Sequence, residues 1–277
     1  MLLYNGQLLS SESFTFSLPN RGLFFNDGFF ETMVWAHGSI LYLPHHLHRL
    51  HRAAAALHFA LPPALVTADA LLATLQPLAD AFAQMPCRLR LQLWRQGGGL
   101  YTPTTSACEW LVTGQPFTPL ETPVERAAFA EKVSTQPSPV SFCKGPNALT
   151  YVLAAQERAQ RNLDDVVLLS PAGYVAETVS AAVGWLREHV IYVPAAATGC
   201  VAGVRLAHLR TIALALGFGW QEGLYLPADL LAAEAVFTAN IAGLRPVQQL
   251  GDTLFSSNAH VGLHHLRLAD RHATPNY

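Results

Sequence analysis

Lysine is nearly missing from this 277-residue chain: Lys132 and Lys144 are the only two, against fifteen arginines. Charge of either sign is scarce too, at 13% of residues, with a net of −2. With no basic block, the chain lacks the electrostatic footprint of a nucleic-acid binder. No apolar run reaches the length of a membrane span. The start, Met1-Leu-Leu-Tyr-Asn-Gly6, has neither the basic residues nor the apolar stretch of a signal peptide, so a cytoplasmic protein is expected. Four cysteines, Cys87, Cys108, Cys143 and Cys200, are widely spaced and form no CxxC pair, which predicts free thiols in a reducing compartment. No internal repeat and no low-complexity tract is present.

What the chain does have is apolar mass, 51% of residues. With little charge to solvate, that implies heavy burial in one large domain or two ordinary ones, a composition that suits a compact enzyme. Asn5-Gly6 between Leu2–Tyr4 and Gln7–Leu9 predicts a two-residue hairpin. A second hairpin, Phe29–Ala36 with Ser39–Leu43, should turn at His37-Gly38. Pro44 opens a helix through Leu57, and Thr67 or Asp69 caps another that runs to Ala83. Strands follow at Arg88–Trp94 and Trp110–Thr113. Three prolines between residues 115 and 123 mark a linker.

Beyond the linker the pattern predicts helices at Leu149–Arg161, at Val204–Leu216 and from Ser256 or Ser257 onward. Strands are expected at Val166–Leu169, Tyr174–Glu177, Val183–Leu186, Val190–Val193, Ala235–Thr238 and Leu244–Gln249. The result is an α+β chain in two domains, with 1–116 and 124–277 joined by 117–123.

A chain this poor in lysine has little use for the amine as a surface group, so each remaining lysine invites a chemical explanation. An amine can form a Schiff base and can lose its charge on burial, neither of which a guanidinium offers. Lys144 sits in the apolar, turn-forming stretch Val140-Ser-Phe-Cys-Lys-Gly-Pro-Asn147, just before a predicted helix. Three further segments accompany it: Arg21-Gly-Leu-Phe-Phe-Asn-Asp-Gly-Phe-Phe-Glu31, His46-Leu-His-Arg49-Leu50, and Gly173-Tyr-Val-Ala-Glu177-Thr-Val-Ser180. Together with Lys144-Gly-Pro-Asn147-Ala-Leu, their order and spacing resemble the class IV aminotransferases, the fold type IV group of pyridoxal-phosphate enzymes. That group includes branched-chain and D-amino acid aminotransferases and 4-amino-4-deoxychorismate lyases. Nearly the whole chain takes part in the resemblance.

The resemblance implies a smaller N-terminal α/β domain and a larger, mixed barrel-like C-terminal domain holding pyridoxal 5′-phosphate. Lys144 then forms the Schiff base with the cofactor aldehyde and later acts as general base. Glu177 faces the pyridine nitrogen and keeps it protonated. Arg49 binds the phosphate, with Arg52 three positions on as its competitor. The backbone N–H groups of Val204 and Arg205 offer a helix-terminal anion site. Val201 lies against the ring face, and Asn240 is a further phosphate donor. Phe30 and Arg95 are implied at the substrate, with Arg205 and Arg245 as other partners for its carboxylates. The resemblance also implies a homodimer.

Departures are visible: Asn26 stands for the first glycine of the family's Gly-Asp-Gly triplet, Arg205-Leu206 for Thr-Arg, Thr178 for the glycine after the glutamate, and Ala182 for asparagine. The histidines 45, 46, 48 and 51 invite a metal reading, but they lack a carboxylate or cysteine nearby and are read as helix start and packing, so no metal is expected. Gly97-Gly-Gly99 lacks the lysine and Ser/Thr of a phosphate loop and is expected to be a mobile loop near the active site. After the strand that ends at Arg95, Gln96–Pro103 carries neither the arginine nor the histidine that D-amino acid aminotransferases use there. That favours the lyase acting in folate synthesis, with an aminotransferase on branched-chain or D-amino acids as alternative. A non-catalytic relative of the fold is a third possibility, opposed by retention of Lys144, Arg49 and Glu177.

Overall fold

The computed structural model describes residues 1–83 and 85–273. It divides into two compact units, one of Met1–Thr118 with Cys143–Pro146, the other of Pro119–Phe142 with the chain from Asn147 onward. The Lys144 segment therefore groups with the first unit, whereas the sequence placed it in a domain spanning 124–277. Sequence position misleads here because the segment joins the first unit through one backbone hydrogen bond from Phe30 and two from the Asn26 side chain.

In the first unit the strands are β1 (Leu2–Tyr4), β2 (Gln7–Leu9), β3 (Gly28–Ala36), β4 (Ser39–Ile40), β5 (Cys87–Arg95) and β6 (Cys108–Pro116). They form one antiparallel sheet in the order β2-β1-β6-β5-β3-β4. Both predicted two-residue turns are present, with Asn5, Gly6, His37 and Gly38 all at positive φ, as the twist of a tight hairpin requires. The helices are α1 (Arg21–Phe25), α2 (Leu43–Ala56) and α3 (Ala68–Asp80). Thr67 caps α3 by accepting the N–H of Ala70 at 3.2 Å.

Helix α2 buries His46, Arg49, Leu50, Ala53 and Ala54, a face set by three- and four-residue spacing. Leu71, Leu75 and Leu78 of α3 and Leu89, Leu91 and Leu93 of β5 are fully buried, each stabilising by roughly 1.5–3 kcal/mol relative to exposure. Helix α1 was missed in the sequence because it lies within the segment read as a motif.

The second unit holds β7 (Ala127–Ser134), α4 (Ala148–Gln160), β8 (Asp165–Leu169), β9 (Val175–Thr178), β10 (Ala182–Arg187), β11 (Val190–Pro194), α5 (Val204–Ala215), β12 (Gly219–Gly223), α6 (Pro227–Leu231), β13 (Ala235–Asn240), β14 (Gly243–Val247), β15 (Gln249–Leu250), β16 (Thr253–Leu254) and α7 (Val261–Ala273). Two mixed five-stranded sheets result, β12-β11-β10-β13-β14 and β16-β15-β7-β8-β9. One core packs α5 and α7 through Leu209, Ile212, Leu263 and Leu266 onto Leu186, Ile191 and Phe237. A second joins Val167, Val175, Val183, Trp185, Val236 and Val247.

The last helix begins at Val261, later than predicted. Ser257 instead turns inward, where its hydroxyl accepts the N–H of Val236 at 2.9 Å. All four cysteines are thiols rather than disulfides, and burial pushes those of Cys87, Cys108 and Cys143 up to about 11 and that of Cys200 to about 12. Among the described residues, no helix is long and apolar enough to cross a membrane.

Candidate active site

In the first unit, β3 begins where the Lys144 segment lies. The N–H of Phe30 donates to the carbonyl of Lys144 at 2.8 Å, forming an isolated antiparallel bridge. Gly145 follows at φ +129°, and a Cβ there would stand 2.9 Å from the Cα of Phe29, so only glycine fits. Asn26, left-handed at φ 51°, extends its Nδ2 to the carbonyls of both Gly145 and Pro146 at 3.1 Å. Three successive carbonyls around the lysine are thus held, and Lys144 itself is half-buried.

One residue past Phe30, Glu31 points to the other face of β3 and meets α2. Arg49 donates to it through Nε at 2.7 Å and Nη2 at 2.6 Å, a planar fork that suits a carboxylate. His46 joins from one turn earlier, Nδ1 to Oε2 at 2.7 Å. Burial alone would raise the Glu31 pKa. The Arg49 charge and the hydrogen bonds from His46 and Arg49 outweigh that and hold it at about 2. Burial lowers the His46 pKa, an effect only partly offset by Glu31, and with a carboxylate oxygen as partner Nδ1–H is the donor. Arg52 is exposed, so of the two arginines weighed in the sequence Arg49 is the one inside.

Asp27 is a junction in the same unit. Its Oδ2 accepts Nε of Arg21 at 2.7 Å and Nε of Arg95 at 3.0 Å. Arg21 then donates through Nη1 to the carbonyls of Gly98, Gly99 and Leu100. The glycine-rich stretch is thus tied to α1 through three of its carbonyls. Arg95 donates onward to the carbonyls of Leu57, His58 and Thr105. Its guanidinium closes the end of α2 and the loop.

Phe30 is half-buried, and the guanidinium of Arg90 lies 3.6 Å over its ring. Arg90 reaches Gln92 at 3.2 Å, and no carboxylate among the described residues pairs with it.

In the second unit the centre is Glu177 on β9, 4% exposed. Its Oε1 accepts the hydroxyl of Tyr151 at 2.7 Å and the N–H of Val201 at 3.1 Å. Burial, followed by the Glu177 charge, pushes the Tyr151 phenol far above its usual range, so it stays a donor. The segment around Val201 is fixed by Ala202 N–H on the Phe142 carbonyl at 2.9 Å. Helix α5 starts at Val204 behind Gly203, whose lack of a side chain leaves the first N–H groups uncapped.

Arg205 turns away from that terminus. Its Nε and Nη2 pair with Asp270 of α7, and its Nη1 donates to the Asn240 carbonyl at 3.2 Å. Asn240 itself donates to Ser180 O at 3.2 Å and accepts the N–H groups of Ala242 and Gly243, building the β13–β14 turn. Arg245 holds the carbonyls of Thr122 and Pro123. The side chains of Arg205, Asn240 and Arg245 thus each make contacts within the second unit. Among the described residues, no cluster of three or more His, Cys, Asp or Glu is placed to hold a metal.

Tyr151, Glu31, His46, Asp27 and Arg21 received no role in the sequence. The one available signal was their presence inside or beside the four motif segments.

The family pattern of class IV aminotransferases matches residues 28–250, and the chain belongs to that family. Its members are pyridoxal-phosphate enzymes, and this chain is one of them. It is 24% identical over 269 residues to a D-alanine aminotransferase of Bacillus licheniformis, covering 93% of this chain and 91% of that one. A match to a branched-chain-amino-acid aminotransferase of Pseudomonas aeruginosa is 31% identical over 103 residues, 37% of this chain and only 33% of the relative. In fold it is similar to the 4-amino-4-deoxychorismate lyase of Pseudomonas aeruginosa, with a TM-score of 0.85 at 22% identity and 100% of both chains covered.

Proposed function

We propose that this chain is a 4-amino-4-deoxychorismate lyase, which converts its substrate to 4-aminobenzoate and pyruvate. The residues fit the family's cofactor by donor chemistry. The first unit presents a half-buried amine, Lys144, and a buried guanidinium, Arg49. The second presents a buried carboxylate, Glu177, and an uncapped helix start at Val204. When bound, pyridoxal phosphate supplies an aldehyde for amine condensation and a ring that absorbs the electron pair left by a departing proton.

Lys144 would hold the group through its amine, and its Nζ would take the proton from the substrate carbon that bears the amino group. Loss of that proton and of the enolpyruvyl oxygen from adjacent ring carbons makes the substrate ring aromatic, and the Lys144 ammonium would return the proton to the enol carbon to give pyruvate. Glu177, oriented by Tyr151 and Val201, would keep the pyridine nitrogen protonated. Arg49, with the N–H groups of Val204 and Arg205, would bind the phosphate, and Val201 would contact the ring.

The observation that carries the subtype is the stretch after β5. Gln96–Pro103 has no arginine or histidine, and Arg95 beside it is committed to Asp27 and three carbonyls. A cation suited to a substrate carboxylate is Arg90, half-buried over Phe30, which is itself bridged to Lys144. An aminotransferase is the second reading, favoured by the Bacillus relative that spans 93% of the chain. A homodimer belongs to the same proposal. The exposed row Leu149, Val152 and Leu153 on α4 offers an apolar surface for it, and light scattering would measure the mass.

The test has two arms. Borohydride should fix cofactor mass to the peptide containing Lys144; Lys144→Ala should abolish that and turnover, while Lys132→Ala keeps both. Given aminodeoxychorismate, the protein should release 4-aminobenzoate and turn over no amino-donor/keto-acid pair. Keto-acid turnover without aminobenzoate replaces the lyase by the aminotransferase.

A further inference from the structure

Asn26 stands where the resemblance leads one to expect glycine, and its backbone is left-handed, φ 51° and ψ 31°. Glycine would take that conformation without strain, so the backbone gives no reason for a side chain. The reason lies 119 and 120 residues further on, where Nδ2 spans the carbonyls of Gly145 and Pro146. Those are the two residues directly after Lys144.

The physics of the segment shows what this contact adds. Gly145 has the widest backbone freedom of any residue type, and it lies next to Lys144. Phe30 N–H fixes the peptide on the C-terminal side of Lys144 through that residue's carbonyl. Rotation about the Gly145 backbone would still swing the following peptides and relax the strand-like bridge. The Asn26 amide closes that freedom by gripping the next two carbonyls at once. Asn26 is anchored in turn, because Asp27 is tied to Arg21 and Arg95 and its own N–H donates to the Arg21 carbonyl at 3.3 Å.

We infer that Asn26 is a positioning residue for Lys144: it fixes the direction in which the amine leaves the backbone. The catalytic role of that amine rests on the function proposed above, but its position can be measured independently. Since Lys132 and Lys144 are the only lysines, acylation of the native protein by acetic anhydride, read by peptide mass, gives one reactivity ratio. Asn26→Gly should change that ratio several-fold with no cofactor present. It should also slow capture of added pyridoxal phosphate about tenfold, the worth of two hydrogen bonds, and move the pH midpoint of the bound cofactor's visible absorbance. Asn26→Asp, which sets an acceptor against two carbonyls, should do more. Asn162→Gly, at another left-handed asparagine (φ 52°), should match the unaltered protein.

An Asn26→Gly protein with native ratio, capture rate and absorbance midpoint overturns the inference. So does a loss that tracks a fallen urea midpoint, which would make Asn26 merely structural. If the unaltered protein captures no cofactor yet Asn26→Gly still moves the ratio, the proposed function fails and the positioning role stands.

Discussion

Glu31 and Glu177 are both buried carboxylates on strands, one in each unit, and they are met by different kinds of donor. Glu31 faces a guanidinium fork and an imidazole. Glu177 accepts from a phenol and a backbone amide. A cation cancels a carboxylate's charge, whereas a phenol and an amide orient it and leave the charge in place. Glu31 is therefore built into the fold, holding Arg49 and α2 against β3, while Tyr151 and Val201 set the direction of the Glu177 carboxylate.

The sharpest way to break that comparison is to neutralise each carboxylate. Glu31→Gln leaves the Arg49 charge buried without its partner and should cost about 3–5 kcal/mol in urea unfolding. The comparison collapses if Glu177→Gln costs as much. For Glu177→Gln the larger effect should fall on turnover, about a hundredfold in kcat, or about 2.7 kcal/mol of transition-state stabilisation, with the urea midpoint little moved. Steady-state kinetics on the cofactor-loaded protein would measure it; an unchanged kcat denies Glu177 its role.

A smaller effect concerns acid. The Glu31 carboxyl sits at about 2 in the fold against its ordinary 4.5, so its stabilisation is complete above 4.5 and fades as pH falls toward 2. His46, lowered by burial from 6.5, acts in the same direction, since the unfolded chain takes up that proton first on acidification. Urea midpoints should therefore fall between pH 6 and pH 3, less steeply in Glu31→Gln. An equal slope in both proteins would mean that the acid sensitivity lies elsewhere.

Local signals were legible in the sequence where chemistry is local. Asn5-Gly6 and His37-Gly38 announced their turns, Thr67 its cap, and Pro44 the start of α2. Strands β7 and β12 went unseen: Ala127–Ser134 is short of β-branched residues, and Gly219–Gly223 is bracketed by glycines. The arginines show the deeper limit. Sequence offered Arg95, Arg205 and Arg245 as spare cations, yet each is consumed by carbonyls or a carboxylate distant in the chain. Tyr151 was placed on its helix but given no part, because nothing in a sequence pairs a residue of α4 with one of β9. Asn26 was visible as a departure; its purpose needed the carbonyls of Gly145 and Pro146.

The return of Cys143–Pro146 to the first unit has a genealogical consequence. A unit built from two stretches of chain cannot be inherited, swapped or fused as one length of gene. Cutting once in the proline-rich linker would leave Asn26 and Phe30 with their donors and no carbonyls to receive them, and would separate Lys144 from Arg49. Recombination at that obvious seam is thereby closed off, and the two units are bound to descend together.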